Sequence, residues 1–278
     1  MIYTYDKDAG AMILPADDFD IEQTFECGQS FRWNNDGTGV YTGIVRDKCL
    51  NLACRENKVF IYCDEKDFDD IWKSYFDLEL NYCEIKNQLR GIHPIMEKAC
   101  DFAPGIRILR QDAWEAMISF IISQNNNIKR IKGIVENLCT HFGEYRDGVG
   151  YLFPTAEKLA CLSEDDLAVI KSGFRAKYIL DAAQKVNSGE IDLQSVSQMP
   201  IDQAREVLMQ IKGVGPKVAE CILLYGMHRL ECFPLDVWMK RAMQTYFPDN
   251  SPQDFGEYAG IAQQYIFHYS RMNPDELT

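Results

Sequence analysis

A short glycine turn that precedes a helical pattern constrains the fold of this chain more than any other stretch. The turn is Gly213-Val214-Gly215, and Pro216 follows it where a helix can begin, because the N–H that proline lacks has no partner in a first helical turn. The next apolar residues recur at helical spacing, at Val218, Cys221, Ile222 and Tyr225. This pattern predicts a helix over 216–227 whose first N–H groups point outward and can bind an anion.

Lys217 lies in the first turn of this predicted helix, where the helix dipole disfavours an ammonium group by about 0.3–1 kcal/mol at exposed sites. A partly dry surrounding favours the neutral amine further, and a neutral lysine is a nucleophile. Nineteen residues later, Asp236 precedes another helical pattern and is predicted to be its N-cap. Taken singly, these features are typical of a plain turn, a solvated cation and a helix cap. Taken together and in this order, they favour a catalytic site.

Length and composition indicate a folded protein of one to three domains. The 278 residues are 46% hydrophobic and 12% aromatic, and no apolar run approaches the ~18 residues of a membrane span. The N-terminus lacks the basic and apolar blocks of a secretory signal, and ten cysteines are scattered without a CxxC pair. We therefore expect a cytoplasmic chain with free thiols.

The charge balance argues against a nucleic-acid partner. Lys and Arg number 29 and Asp and Glu number 42, so the formal net charge is −13, whereas a face that binds nucleic acid is normally basic. The cations are unevenly distributed, however, and concentrate near predicted loops at Arg107–Arg110, Lys129–Lys132, Arg175–Lys177 and Lys212–Lys217. A basic face is therefore compatible with this composition.

The period of the hydrophobic pattern changes near residue 80, which predicts an α+β fold. Before this point, alternating or β-branched runs predict an antiparallel sheet with an edge helix near Asp67–Tyr75. The predicted strands are Ala11–Leu14, Gly39–Val45, Leu50–Ala53 and Lys58–Tyr62. After it, helical spacing predicts an all-α body. The predicted helices are Cys83–Leu89, Pro94–Ala99, Ala113–Ser123, Ile128–Phe142, Ala156–Cys161, Glu164–Ile170, Ala176–Ser188, Leu193–Gln198, Ile201–Gln210, Pro216–Met227, Val237–Tyr246 and Pro252–Tyr269.

Four further stretches each have an ordinary and a functional interpretation. Gln124–Asn127 is either a polar helix junction, which its spacing favours, or a loop that presents amides to a ligand. Gly28–Trp33 is either a turn before a strand with a buried Trp or a place where a ligand approaches the backbone closely. Gly173–Lys177 is either a helix start or a contact loop. Gln263 and Phe267 share one helix face, where a phenylalanine is usually core but can instead stack on a flat ring.

The stretch Ile211–Arg241 resembles the helix-hairpin-helix plus Gly/Pro-Asp signature of base-excision DNA glycosylases. The resemblance implies that the turn Gly213-Val214-Gly215 grips a DNA phosphate, with a candidate site for a monovalent cation at the backbone carbonyls of residues 211–215. It also implies that Lys217 attacks the sugar carbon and that Asp236 assists the cleavage.

Six motifs narrow this resemblance to the 8-oxoguanine DNA glycosylases of the eukaryotic type. In chain order they are FECGQSFRW, SFIISQNNNIKRIKGIVENLC, SGFRAKY, GVGPKVAEC, PLDVWM and YAGIAQQYIF, and they span about residues 12 to 270. By motif position, Gly28 matches the glycine whose carbonyl accepts the N7–H that only the oxidised guanine has. Gln263 matches the residue that reads the pairing edge of the base. Phe267 and Cys221 match the two faces that sandwich it.

The resemblance also implies contacts with the rest of the DNA. Asn125, Arg130 and Arg175 match residues that engage the estranged cytosine, and Phe174 stands where a wedge tyrosine is usual. Trp238 replaces the family's common histidine, which contacts DNA phosphate. Phe174 keeps the ring of the usual tyrosine and loses its hydroxyl.

The implied function is base-excision repair, in which 8-oxoguanine is flipped out of duplex DNA and excised with lysine Schiff-base chemistry and β-elimination at the abasic site. The implied partner is double-stranded DNA with the lesion opposite cytosine, bound by a monomer that is associated with the nucleoid if the source is prokaryotic. No cofactor is required, and no cysteine after Cys232 is present to build the iron–sulfur cluster of related glycosylases. The implied domains are a TBP-like sheet over 1–92 and a helical domain over 93–278, with the base pocket between two helical subdomains.

Two other functions fit parts of the sequence. Glycosylases that remove alkylated purines keep the aspartate matched by Asp236 but usually lack the lysine. A helix-hairpin-helix binding module without chemistry would bind DNA regardless of damage and would have no use for Asp236.

Overall fold

A six-stranded antiparallel sheet forms the N-terminal part of the chain in a computed structural model that describes residues 2–277. The strands are β1 (Thr4–Asp6), β2 (Ala11–Pro15), β3 (Trp33–Asn35), β4 (Val40–Val45), β5 (Lys48–Arg55) and β6 (Lys58–Ile61). Their spatial order is β1-β2-β6-β5-β4-β3, and each neighbouring pair is antiparallel. The four predicted strands are confirmed, whereas β1 and β3, at three residues each, are too short to show a period.

The ring of Trp33 fixes the pairing of β3 with β4. Trp33 lies opposite Gly43, and a Cβ at Gly43 would fall 2.4 Å from the indole ring. The indole stacks on Phe25 with ring centroids 4.3 Å apart and donates its Nε1–H to the Tyr75 hydroxyl at 3.0 Å. The predicted buried Trp is confirmed, and it lies in an aromatic core under the sheet. Phe25 itself comes from a short helix, Ile21–Glu26, that the sequence analysis missed.

The remainder of the chain is helical. Four of the twelve predicted helices occur with the predicted bounds, namely Ala113–Ser123, Ile128–Phe142, Leu193–Gln198 and Val237–Tyr246. The other α-helices are Glu65–Asp67, Lys73–Tyr75, Tyr82–Arg90, Pro94–Phe102, Ala156–Ala160, Ala176–Asn187, Ile201–Leu208, Pro216–Cys221 and Ala259–Met272. Short 3₁₀ segments lie at Asp166–Ile170, Gly173–Arg175, Pro252–Tyr258 and Pro274–Leu277, and a two-stranded hairpin pairs Tyr145–Arg146 with Gly150–Tyr151.

Three predicted helices are interrupted, for reasons that a period of 3.6 residues does not reveal. The helix from Pro216 is α-helical only to Cys221 and continues as a π-helix over Ile222–Gly226. The edge helix near residues 67–75 likewise contains a π-helical turn, Phe68–Trp72. The C-terminal helix is broken by Gly256, whose φ of 65° separates a 3₁₀ turn from the regular helix that follows.

The sheet and the helical body exchange segments across their junction. Cys27 and Phe31, from the sheet part of the sequence, pack in the helical core, and Leu109, from the helical part, packs in the sheet core. Helix Tyr82–Arg90 also packs in the helical core, and the domain boundary after residue 92 stays a prediction. Within residues 2–277, every helix is too short or too polar to cross a membrane.

The prediction that the basic cluster Arg107–Arg110 faces a binding partner is wrong for Arg107. Only 1% of this residue is exposed, and its guanidinium donates to the carbonyl oxygens of Phe76 and Leu80 at 3.0 and 2.9 Å and to that of Asp77. It also lies over the Tyr82 ring, 4.0 Å from the centroid. Arg107 therefore satisfies backbone carbonyls at the junction, and sequence clustering alone did not reveal its burial.

Substitution of Gly43 by Ala is expected to lower the free energy of unfolding by about 1–3 kcal/mol, because the added methyl group would overlap the Trp33 ring. The matched control is Gly133→Ala in helix Ile128–Phe142, where a Cβ has no neighbour within 4 Å; it is expected to raise stability by about 0.5–1 kcal/mol. Urea denaturation of both variants measures the difference. Equal stability of the two variants would contradict this account of the sheet.

Candidate active site

The glycine turn between helices Ile201–Leu208 and Pro216–Cys221 is held rigidly. Gly213 has a φ of +77°, and any side chain there would meet the Tyr178 ring at 2.4 Å, so both backbone conformation and space require glycine. The N–H of Lys212 donates to the Asp181 carboxylate at 2.8 Å, and the N–H of Val214 donates to the Ile211 carbonyl at 3.0 Å. The hairpin predicted from the sequence is therefore present, with its turn fixed from beneath.

Lys217 and Asp236 line the same cavity, of about 270 Å³. Lys217 Nζ lies 5.7 Å from the centroid of the Phe120 ring. Burial raises the pKa of the Cys221 thiol, and the positive charge of Lys217 acts in the opposite direction. The neutral amine predicted for Lys217 stays a prediction.

Asp236 is the N-cap of helix Val237–Tyr246, as predicted. Its Oδ1 accepts the N–H of Met239 at 2.8 Å. Its Oδ2 has no hydrogen-bond partner in the described part of the chain, residues 2–277. The cap hydrogen bond therefore orients the carboxylate and leaves one oxygen available to the cavity.

The opposite wall of the cavity comes from the sheet part of the sequence and from the C-terminal helix. Gly28 has a φ of +89°, and a Cβ there would lie 3.7 Å from Phe267 and 3.4 Å from Ile128. Gly28 and Phe267 line the cavity, as the resemblance implied for a base pocket. Cys221 and Gln263 are buried and are not among the lining residues of this cavity, and Gln263 Oε1 lies 3.4 Å from the Tyr225 hydroxyl. The roles expected for all four in contacting a base stay predictions.

Two buried amides, those of Gln29 and Gln264, hold the segment that contains Gly28, and Gln264 donates from Nε2 to the Cys27 carbonyl at 3.2 Å. Gln29 is fully buried, and its Nε2 donates to the carbonyl oxygens of Thr24 at 3.0 Å and Arg107 at 2.7 Å. Its Oε1 accepts the N–H of Leu109 at 2.9 Å. These bonds join the Gly28 loop to the segment that enters the helical body, so the two walls of the cavity keep a fixed separation.

The polar loop Gln124–Asn127 follows helix Ala113–Ser123 and projects Asn125 into solvent. Asn125 has a φ of 48°, and the loop is held by Arg175, which donates to the carbonyl of Asn125 at 3.0 Å and to that of Gln124. Arg175 is only 2% exposed, whereas Arg130 is exposed and Phe174 is 49% exposed. Arg175 thus supports the loop in this structure, and the contacts predicted for these residues with an unpaired base stay predictions.

One groove connects the loop, the glycine turn and the cavity. A hollow of about 590 Å³ is lined in part by Asn125, Gly213, Gly215 and Trp238, and it shares Lys217 and Asp236 with the cavity. Trp238 lines both spaces. The structure therefore brings together residues that lie more than one hundred positions apart in the sequence. A groove with one deeper cavity is suited to a long polymer that inserts one of its groups into that cavity.

Known proteins establish the family of this chain. Residues 11–117 match the family model described as 8-oxoguanine DNA glycosylase, N-terminal domain, and residues 118–256 match that of the HhH-GPD superfamily base excision DNA repair proteins. The chain is an 8-oxoguanine DNA glycosylase-type member of the HhH-GPD superfamily. An N-glycosylase/DNA lyase of Saccharomyces cerevisiae is 34% identical over 264 residues, which cover 84% of this chain and 69% of that protein.

Two solved structures are similar to this glycosylase over nearly its full length. The structure of MBOgg1 in complex with a low-affinity DNA ligand superposes on this chain with a TM-score of 0.90, and the two sequences are 42% identical. The match covers 99% of this chain and 100% of the MBOgg1 chain. The 8-oxoguanine glycosylase/lyase of Clostridium acetobutylicum, in complex with double-stranded DNA containing cytosine opposite 8-oxoguanine, has a TM-score of 0.88 and 37% identity, and covers 99% of each chain.

The glycosylase concentrates positive charge where its groove lies, although its net charge is −13. The lining of the cavity and the adjoining hollow contains three cations, Lys217, Lys240 and Arg271, against one carboxylate, Asp236. Since local potential depends on nearby charges more than on net charge, the groove is favourable to a polyanion. Of the cation clusters predicted from the sequence, only Lys212–Lys217 contributes to this lining, through Lys217, whereas Lys240 and Arg271 lie outside those clusters and Arg107 is buried at the junction.

Phe120 and Arg271 also line the cavity, although neither was predicted from the sequence to do so. Phe120 stacks on Tyr225 with centroids 5.0 Å apart and lies beneath Lys217. Phe120 belongs to a helix that is apolar on most sides, so its pattern does not distinguish it from core. Arg271 lies four residues after Phe267, and this helical spacing was the one available signal.

Substitution of Gln29 by Leu is expected to lower the free energy of unfolding by about 2–5 kcal/mol, because the Arg107 carbonyl and the Leu109 N–H lose their buried partner. The variant is also expected to excise a damaged base more slowly, since Gly28 is no longer held. The measurements are denaturant unfolding and single-turnover excision. Gln23→Leu, which removes one partly buried bond to the Gly105 N–H, is the control and should have a smaller effect on both. Wild-type excision by the Gln29 variant would show that the amide does not position the cavity wall.

Proposed function

We propose that Lys217 and Asp236 perform the activity of this chain, a bifunctional DNA glycosylase and abasic-site lyase that excises 8-oxoguanine from double-stranded DNA. The observation that supports this assignment is their position in one cavity of about 270 Å³ with Gly28 and Phe267. This volume lies just below the ~300–1,000 Å³ typical of pockets for drug-sized ligands, a size suited to one flipped base.

Lys217 is the proposed nucleophile. Its Nζ lone pair forms a bond to the sugar C1′, and the bond from C1′ to N9 of the base breaks, so the base leaves with the electron pair and takes up a proton. Opening of the sugar ring gives a Schiff base between Lys217 and C1′. Loss of a proton from C2′ then expels the 3′ phosphate by β-elimination, which nicks the strand.

Asp236 is proposed to stabilise the positive charge that develops on the sugar as the base departs. Its cap bond to Met239 holds the carboxylate in place, and a preorganised charge costs no reorganisation when the reaction occurs. A fixed acid beside a lysine also favours proton transfer at the amine. The hydrogen bond that stabilises the helix thus serves the chemistry.

Selection of the oxidised base is proposed to depend on the walls of the cavity. The Gly28 carbonyl accepts the N7–H that 8-oxoguanine has and guanine lacks, Phe267 and Cys221 contact the two faces, and Gln263 reads the pairing edge. One hydrogen bond contributes about 0.5–1.5 kcal/mol, and an unmodified guanine, with an acceptor at N7, leaves the Gly28 carbonyl unpaired and repelled.

The groove is proposed to hold the remaining DNA. Asn125 and Arg130 engage the cytosine opposite the lesion. Arg175 supports the loop that presents Asn125, and Phe174 fills the gap that the flipped base leaves. The turn Gly213-Val214-Gly215 and Trp238 contact phosphates. The proposed reaction requires no cofactor, and residues 2–277 contain no group of three His, Cys, Asp or Glu side chains that could hold a metal ion. A monovalent cation at the carbonyls of residues 211–215 remains part of this proposal.

Substitution of Lys217 by Gln is expected to slow 8-oxoguanine excision by at least about 10³-fold and to abolish the covalent adduct, because the nucleophile is lost. The measurement is borohydride trapping on an 8-oxoguanine duplex, with Lys240→Gln as a charge-matched control from the same groove that is expected to weaken DNA binding and still form the adduct. An undiminished adduct in the Lys217 variant would exclude the proposed lyase chemistry.

Substitution of Asp236 by Asn is expected to slow excision by about 10²–10³-fold at nearly unchanged stability, because Asn caps a helix as well as Asp but carries no charge. Asp236→Ala is expected to lose about 1 kcal/mol of stability in addition. Single-turnover rates and thermal unfolding of both variants measure the two roles separately. A binding module without chemistry predicts no turnover by wild type and no effect of the Asn variant on damage-independent DNA binding.

A further inference from the structure

Arg271 is a charged side chain in the base cavity for which the proposed chemistry gives no role. It lines the cavity together with Gly28, Lys217, Asp236 and Phe267. Its guanidinium lies 5.4 Å from the centroid of the Phe267 ring, and its Nη1 would be 3.6 Å from a Cβ built on Gly28. Arg271 is therefore next to the glycine whose carbonyl is proposed to accept the N7–H.

One donor of Arg271 is buried and unpaired. Nη1 is inaccessible to solvent and has no hydrogen-bond partner within residues 2–277. Arg271 also lines a hollow with Asp20, Glu22 and Glu26, yet none of these carboxylates forms an ion pair with it in the described chain; Glu26 pairs instead with Lys132 at 2.9 Å. A buried N–H of a charged group is costly to leave unpaired, so its position is understandable if a ligand supplies the acceptor.

The helix itself indicates which edge of the base Arg271 would meet. Gln263, Phe267 and Arg271 are at positions i, i+4 and i+8 of helix Ala259–Met272, so they form one stripe, with Gln263 about one turn before Phe267 and Arg271 about one turn after it. If Phe267 stacks on the base and Gln263 reads its pairing edge, Arg271 faces the other end of the purine. That end carries N7–H and the C8 carbonyl.

We propose that Arg271 is a specificity-determining residue whose guanidinium turns its buried Nη1 toward the flipped 8-oxopurine and donates a hydrogen bond to O8. The inference rests on the proposed function, since it uses the base orientation set by Gly28 and Gln263. Guanine has a C–H at position 8, so the O8 acceptor is missing when guanine enters the cavity, and the N7 lone pair faces the Gly28 carbonyl in the proposed orientation. The guanidinium also stabilises the electron pair that the departing base retains, because the negative charge is shared with O8.

The test compares Arg271→Met with wild type on duplexes that contain 8-oxoguanine and on duplexes that contain a preformed abasic site. The single-turnover rate of 8-oxoguanine excision is expected to fall by about 10- to 100-fold, because one charge-assisted hydrogen bond to the base is lost. Borohydride trapping on the abasic duplex, which contains no base, is expected to match wild type. Arg271→Lys keeps the charge and is expected to recover part of the excision rate.

Lys58→Met, at an exposed position at the start of strand β6, removes one positive charge outside the lining of the cavity and is the control for net charge. Excision by Arg271→Met at the wild-type rate would overturn the role of Arg271 while leaving the proposed function intact. Equal loss of excision and abasic trapping would also overturn it, since the residue would then act on folding or on Lys217. Absence of excision by wild type would instead contradict the proposed function.

Competition with the free bases 8-oxoguanine and 8-oxoadenine separates O8 from O6, because 8-oxoadenine has an amino group at position 6 and keeps the C8 carbonyl. Weaker inhibition of Arg271→Met than of wild type by both bases supports contact with O8. Weaker inhibition by 8-oxoguanine alone would assign the contact to O6 and overturn the proposal.

Discussion

The buried side-chain amide of Gln29 is the interaction on which the base cavity depends. It joins the backbone at Thr24, Arg107 and Leu109, which belong to both sides of the junction between sheet and helices. Inside a protein such bonds are strong and their loss is costly. Gly28 precedes this amide directly, so the position of its carbonyl relative to Lys217 is set by the same bonds that join the two parts of the fold.

Local helix geometry positions the rest of the site. Lys217 occupies the first turn of one helix and Asp236 caps another, so each side chain inherits its orientation from backbone hydrogen bonds. The helix from Pro216 changes to π-helical geometry directly after Cys221. A π-helical turn inserts one extra residue, and such turns are frequent at functional sites. Here it sets the direction in which Tyr225 reaches Gln263 and Gln264 behind the cavity.

Much of this arrangement could be predicted from sequence, because it depends on local rules. Strand alternation, helix periodicity and the cap at Asp236 each involve residues close in the chain, and the motifs placed Gly28 and Phe267 in one pocket. The rest depends on tertiary partners. Arg107 and Arg175 resemble surface cations in sequence, yet both are buried and donate to carbonyls brought close by folding. Phe120 and Arg271 follow the same helical pattern as residues of ordinary cores and surfaces, so only the cavity distinguishes them.

The residues of the cavity come from two parts of the chain, and this determines which activity would survive partial unfolding. Lys217 and Asp236 both come from the helical body, whereas Gly28 comes from the sheet part. If mild heat or denaturant loosens the sheet first, the surviving body retains a nucleophile and a carboxylate but lacks the wall that recognises oxidation. The partly unfolded protein would then nick abasic strands as a lyase but would no longer select the oxidised base.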